Sequence, residues 1–313
     1  MTKKQRTKAV SEPFVDSGSI RVSDILVFST TYPKKYNKAS NDKREAILET
    51  IQRCHKSFLT HPLFGDKWRH IQKQWMDSIH RLAKERKIPP YTRVEVEREG
   101  GRGSHHDFHF VYYDVDIPVG TIIIEFKNGA NNINKLPQIL SLQAKFPLVQ
   151  ETFDVYWYHH GYDKYRACDP SLKEPKPSLE EYVKIVTNVD ASIHPAIQEL
   201  RDQEENFKKE KKRVVDSVIT KFLNDYAKTI NLSAFSEKVK DSQSGKIYLL
   251  WNDGQFYMDE IKEEEMTNLV FDSIKNGNTL LLKSGNTFYH ALLRWRNHQG
   301  ILNPAWQIKL TRK

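Results

Sequence analysis

Between Tyr91 and Lys127 the chain abandons helical spacing for a period of two, and no other feature constrains its fold as much. YTRVEVEREG alternates apolar with charged residues, GGRGS interrupts, DFHFVYY alternates again, DVDIPVG turns, and TIIIEFK is a dense β-branched run. Alternation sends successive side chains to opposite faces, so the segment predicts three consecutive antiparallel strands. Before it the spacing is helical. Ala46, Ile47, Ile51, Cys54 and Phe58 share one face of a helix starting near Asn41. Trp68, Ile71, Trp75, Ile79 and Leu82 share one face of a second, over 67–87, which Pro89 and Pro90 end. After the strands, Pro137 suits the first turn of a helix in PQILSLQAKF, and TFDVYWYHH (152–160) has strand composition. Helices, three strands, helix, strand is the order of an α/β core whose third strand is central.

Composition narrows the classes of function. The 313 residues carry 49 Lys+Arg against 40 Asp+Glu, a formal charge of +9. That excess favours a polyanionic partner without requiring one. No stretch approaches the roughly 18 uncharged apolar residues of a membrane helix, so no membrane role is expected. The opening MTKKQRTKAV lacks the apolar centre of a secretory leader. Cys54 and Cys168, the two cysteines, are too few for a disulfide framework or a multi-cysteine zinc module. The expectation is an intracellular protein, cytoplasmic or nuclear, not secreted.

The remaining chain divides by pattern into four parts. Residues 1–40 form a basic arm with Lys3, Lys4, Arg6 and Lys8, containing one short strand candidate, IRVSDILVF (20–28). Residues 41–170 hold the α/β core, and 171–232 a linker followed by a charged long helix opened by Pro195. Ser178 and Glu181 form a capping box for a helix from Leu179. Lys208, Lys209, Lys211, Lys212 and Arg213 on the long helix are either phosphate contacts or one face of a solvated bridge. Residues 233–313 read as a small α+β module: a hairpin about Asn-Asp-Gly, an acidic helix near Glu263 to Lys275, a second hairpin about Ser284-Gly285-Asn286, and a closing strand PAWQIKL.

The chemistry concentrates on the second and third strands. Alternation puts Glu125 and Lys127 on one face and Ile122, Ile124 and Phe126 on the other. Charges ending a β-branched run are a local conflict of the kind that gathers at functional sites. With a turn centred on Ile117, His109 faces Glu125 and Asp107 faces Lys127, so Asp107 is a diagonal neighbour of Glu125. Pairing across GGRGS, with partners summing to about 206, sets Glu97 opposite His109. Two carboxylates can hold a hard divalent cation such as Mg²⁺ or Mn²⁺ with positions open for phosphate and water. A lysine beside them can orient the attacking water and stabilise charge in the transition state.

Asp107 with Glu125-x-Lys127 on the adjoining strand resembles the PD-(D/E)XK nuclease superfamily, the restriction-endonuclease-like fold, over roughly residues 91–160. His106 stands where the family motif has Pro. The resemblance implies metal ligation by Asp107 and Glu125 and a water- or transition-state-facing Lys127. It also implies a helix Glu, for which Glu49 is the candidate with Glu97 as rival, and a Gln from the following helix, Gln138. The implied function is metal-dependent hydrolysis of phosphodiester bonds in nucleic acid, DNA first, by an endonuclease of restriction or repair type. Restriction-type cutting uses two copies, so a homodimer is an expected partner. The alternative is a non-catalytic nucleic-acid-binding protein using the basic helix and the C-terminal module. Arg102 in the Gly-rich loop is a candidate backbone contact. His105, His106 and His109, with His159 and His160, form a competing metal-ligand set. Tyr112, Tyr113, Tyr156, Trp157 and Tyr158 read as core or half-buried aromatics rather than base-stacking platforms.

Overall fold

The computed structural model describes residues 20–29, 38–99, 106–187, 194–298 and 301–313. Its helices are α1 (Lys38–Thr50), α2 (Lys56–Leu59), α3 (Gly65–Glu85), α4 (Phe153–His160), α5 (Tyr162–Ala167), α6 (Leu179–Thr187), α7 (Pro195–Asp202), α8 (Lys208–Tyr226) and α9 (Leu232–Gln243). Its strands are β1 (Arg93–Arg98), β2 (Phe108–Asp114), β3 (Ile117–Asn128), β4 (Leu140–Gln143), β5 (Lys246–Asn252), β6 (Gln255–Glu260), β7 (Val270–Lys275), β8 (Thr279–Ser284), β9 (Thr287–His298) and β10 (Ile301–Arg312). The fold is mixed α/β with two five-stranded sheets, ordered β1-β2-β3-β5-β6 and β4-β10-β9-β8-β7. Among the described residues no helix is long and apolar enough to cross a membrane.

Two compact units result, and they divide the chain differently from the sequence pattern. The first takes Met1–Ile133 and Gly245–Glu260; the second takes Asn134–Ser244 and Ile261–Lys313. The Asn-Asp-Gly hairpin forms as expected, with Asp253 (φ 48) and Gly254 (φ 86) both left-handed between paired Asn252 and Gln255. It belongs to the first unit, however, not to a C-terminal module. There β5 runs parallel to β3, with Glu125 level with Tyr248. Local turn chemistry marks a hairpin but not its distant partner strand.

In the first unit the predicted strands β1, β2 and β3 are antiparallel, and β3 is the middle of five. The helical face of α3 is also as predicted: Trp68, Ile71, Trp75, Ile79 and Leu82 are at most 3% exposed. Trp75 sits edge-on at 5.7 Å from Phe108 and 5.2 Å from Phe110, so the even residues of β2 face the core. Residues 22–28 are a 3-10 helix rather than a strand. Val22, Ile25 and Phe28, three apart, are buried, and the Trp68 indole N–H donates to the Val22 carbonyl at 2.8 Å. That part of the expected arm is therefore core. The basic residues of 1–19 lie outside the described residues.

Four further expectations are corrected in the second unit. The segment after Pro137 is extended and enters β4, paired to β10, instead of opening a helix. Residues 153–160 are helical; Phe153, Tyr156 and Trp157 at i, i+3 and i+4 bury one face, and this spacing overrides the β propensity of the aromatics. The acidic helix near Glu263 shortens to a 3-10 turn, Glu263–Met266, followed by β7. The long helix after Pro195 breaks at Gln203–Phe207, where Phe207 takes a φ of 50. The capping box at Ser178 and Glu181, the hairpin β8–β9 and the closing strand β10 form as read.

Candidate functional site

Odd-numbered residues of β1 and β2, and of β3 from Thr121 onward, point away from the α3 side of the first sheet, and this face gathers the charged residues. The loop between β2 and β3 is Val115–Asp116, with a bulge at Tyr112/Tyr113, so the turn is not centred on Ile117. His109 consequently pairs with Ile123 rather than Glu125, and Phe108 with Ile124. The correction is two residues, an even number, and leaves every face assignment intact. Asp107 moves from a diagonal position to one directly beside Glu125.

Asp107 stands one residue ahead of β2 but is fixed by backbone bonds on both sides. Its N–H donates to the Ile124 carbonyl at 2.9 Å, and its carbonyl accepts from Glu99 N–H at 3.0 Å. Its Oδ2 accepts the Phe126 N–H at 2.8 Å. The Lys127 ammonium lies 2.5 Å from Glu125 Oε1 and 3.5 Å from Asp107 Oδ2. On the other side, Lys246 Nζ is 3.6 Å from Glu125 Oε2. The side chains of Asp107, Glu125 and Lys127 are 19%, 15% and 33% exposed, whereas Lys246 is 4% exposed. Two carboxylates and one ammonium thus converge on a reachable face, with a second ammonium sealed behind them.

Burial sets the electrostatics. It pushes the Asp107 carboxyl up to about 6, opposed by the pull of Lys127 and reinforced by the like charges of Glu125 and Glu45. Burial alone would depress the Lys127 ammonium, but Glu125, Asp107 and Glu45 hold it above the ordinary lysine range. Lys246 is held below that range by burial, against the pull of Glu125. One measurable consequence concerns Asp107. Between pH 3.8 and about 6 the folded chain keeps a proton that the unfolded chain has released, so this group makes stability fall as pH rises across that window. Denaturant unfolding at several pH values should show that slope in the wild type and its loss in Asp107→Asn; equal slopes would contradict it.

Glu97 pairs with His109, as the sum of 206 requires. Glu97, Glu99 and His109 bring one ligand atom each within 4.8 Å of one another, with His109 Nδ1 at 3.6 Å from Glu99 Oε1. The same arithmetic places Glu99, which no sequence motif marks, level with Asp107. The α1 carboxylate that acts on Asp107 and Lys127 is Glu45, one turn before Glu49; Arg98 holds it at 2.7 Å. Gln138 belongs to the second unit and lies in no helix. His106 stacks on His109 at 4.4 Å between ring centres, and burial lowers its basicity. His159 and His160 sit exposed on α4 in the second unit. Arg102 and His105 lie outside the described residues.

The basic block on α8 is largely committed within the second unit. Lys208 pairs with Glu205 at 2.7 Å and Lys212 pairs with Asp216. Lys211 is buried against Asp169, which removes it as a nucleic-acid contact. Lys209 and Arg213 are exposed. Comparison with known proteins returns no matching family model, no similar curated protein and no similar solved structure.

Proposed function

We propose that the chain is a metal-dependent phosphodiesterase acting on nucleic acid, DNA first, of the PD-(D/E)XK kind. The observation that carries the reading is the Lys127 ammonium between the Asp107 and Glu125 carboxylates on a partly exposed sheet face. Three antiparallel strands followed by a strand parallel to the third also suit the restriction-endonuclease-like core.

The donor set fits Mg²⁺ or Mn²⁺. Carboxylate oxygens are hard ligands, and Asp107 keeps its second oxygen beyond the one bonded to Phe126 N–H. Asp107 and Glu125 would hold the ion, with Glu99 and Glu97 beside them on the same face. Bound there, it supplies a water of lowered pKa and neutralises negative charge. Phe126 N–H and Lys246 orient the two carboxylates. Lys127 offers a fixed positive charge to the oxygens of the phosphate under attack, where electrostatic stabilisation has its largest effect.

The test is incubation of the purified full chain with supercoiled plasmid, single-stranded DNA and RNA, with Mg²⁺, Mn²⁺ or EDTA. Metal-dependent cutting, lost in EDTA and in Glu125→Ala, is the expected result. Wild type cutting no more than Glu125→Ala under every condition would sink the assignment.

A further inference from the structure

The proposed active face is rich in carboxylates: Glu97 and Glu99 stand exposed beside Asp107 and Glu125. Such a face suits a cation but repels a polyanion, so affinity for nucleic acid needs a positive surface of its own. From residue 279 to residue 313 the chain contains no Asp or Glu. This stretch is β8, β9 and β10, adjacent strands of the second sheet.

The sheet's two faces differ. Leu280, Leu282, Tyr289, Ala291, Leu293, Trp306, Ile308 and Leu310 are at most 1% exposed and face the core. The other face follows from the register. Lys283 ranks with Phe288 and Thr311; Leu281 with His290 and Lys309; Lys275 with Thr279, Leu292 and Gln307; Arg294 with Ala305. Lys275, Arg294 and Lys313 are exposed, and Lys283 and Lys309 are partly exposed. Lys283 and Lys313 also lie over the Phe288 ring, at 5.7 and 4.5 Å from its centre. A groove of about 290 Å³ runs between Lys275, His290 and Lys309. Burial and the positive charge of Lys275 and Lys309 both lower the basicity of His290, as a one-signed field should. One carboxylate, Asp272, lies on β7, at its bulge.

We infer that this open face of the second sheet, marked by Lys275, Lys283, Arg294, Lys309 and Lys313, is a docking surface for the sugar-phosphate backbone of nucleic acid. The spacing favours an extended ligand. Successive ranks on one face are about 7 Å apart, so the cations spread over about 20 Å along the strands. A small anion would meet one or two of them; a phosphate chain meets them all. Phe288 is buried and Leu292 partly buried among the charged side chains, and the exposed Val270, level with Lys283, is a single apolar side chain where a membrane-binding face needs a continuous apolar stripe. The choice of nucleic acid among polyanions rests on the phosphodiesterase reading.

The experiment measures binding of the full chain to a short labelled DNA duplex, its single strand and the matching RNA, in EDTA and over a range of salt. Lys275→Glu/Lys283→Glu/Lys309→Glu should weaken binding at least tenfold and flatten the salt dependence by two to three counterions, roughly 0.9 per lost contact. The Gln triple variant should fall between it and wild type, and guards against a folding defect in the Glu variant. Lys209→Glu/Arg213→Glu on α8 should change affinity less than twofold. An unchanged affinity in the Glu and Gln variants would overturn the assignment. So would an α8 variant as weak as the sheet variant, or a wild type that binds anionic vesicles but none of the three nucleic acids. Binding is read in EDTA, where cutting is not expected, so a wild type that binds through this face but cuts with neither Mg²⁺ nor Mn²⁺ would refute the nuclease reading alone.

Discussion

Replacing Lys127 by methionine should lower turnover by about a thousandfold while leaving nucleic-acid affinity within about twofold. The methionine keeps the length and apolar stem of lysine, so the fold around β3 loses a charge rather than volume. What disappears is the ammonium that, among the described residues, is ion-paired to both Asp107 and Glu125. Substrate positioning survives because it depends on other residues; the charge that meets the reacting phosphate does not. The substitution also leaves two carboxylates side by side without their shared counter-charge. Asp107, already raised to about 6, should then titrate higher. Activity at saturating Mg²⁺ should therefore recover in part as pH is raised, a response that a neutral-to-neutral packing change would not give. Single-turnover cleavage and anisotropy measured on the same preparation separate the two parameters. Loss of affinity in step with loss of turnover would place Lys127 in binding instead. A stable variant with unaltered cleavage would make the cluster an ion-pair knot with no chemical role.

Much of the first unit was legible because its signals are local and periodic. Alternation along 93–98, 108–114 and 117–128 defined strands, and the i, i+3, i+4 pattern of Trp68, Ile71 and Trp75 defined α3 and its buried face. Face assignment for Glu125 and Lys127 tolerated a misplaced turn, since a two-residue register error is invisible to parity. The illegible parts depend on distant partners. Lys246 enters the site because β5 returns to pair with β3 after the whole segment 134–244, and nothing in IYLLW names that neighbour. Glu45 differs from Glu49 by one helical turn, and both lie on the same side of α1 by spacing alone. Residues 153–160 show the opposite failure: aromatic composition argued for a strand while the spacing of Phe153, Tyr156 and Trp157 already argued for a helix.

The second large effect is on stability, at a place where the sequence offered only a row of basic residues. Lys211→Met should destabilise the protein by about 3–5 kcal/mol at neutral pH. Lys211 and Asp169 are 2% and 0% exposed, with Nζ to Oδ2 at 3.0 Å, and the ammonium also donates to the Gln203 carbonyl at 2.7 Å. Burial by itself would raise the Asp169 carboxyl, but Ser171 and Lys211 hold it below the usual range. That depressed value contributes stability that is present above the ordinary carboxylate pKa and lost as pH falls through the folded one. Without Lys211 the buried carboxylate is stranded, and the variant's deficit should shrink as pH is lowered towards 4, where protonation removes the charge. Adding Asp169→Asn keeps an oxygen for Ser171 and eliminates the stranded charge, so the double variant should regain about half of the loss or more. Chemical denaturation at pH 7 and near pH 4 reads all three proteins. A deficit equal at both pH values would assign the effect to packing around α8, and one below about 1 kcal/mol would show that water reaches this pair after all.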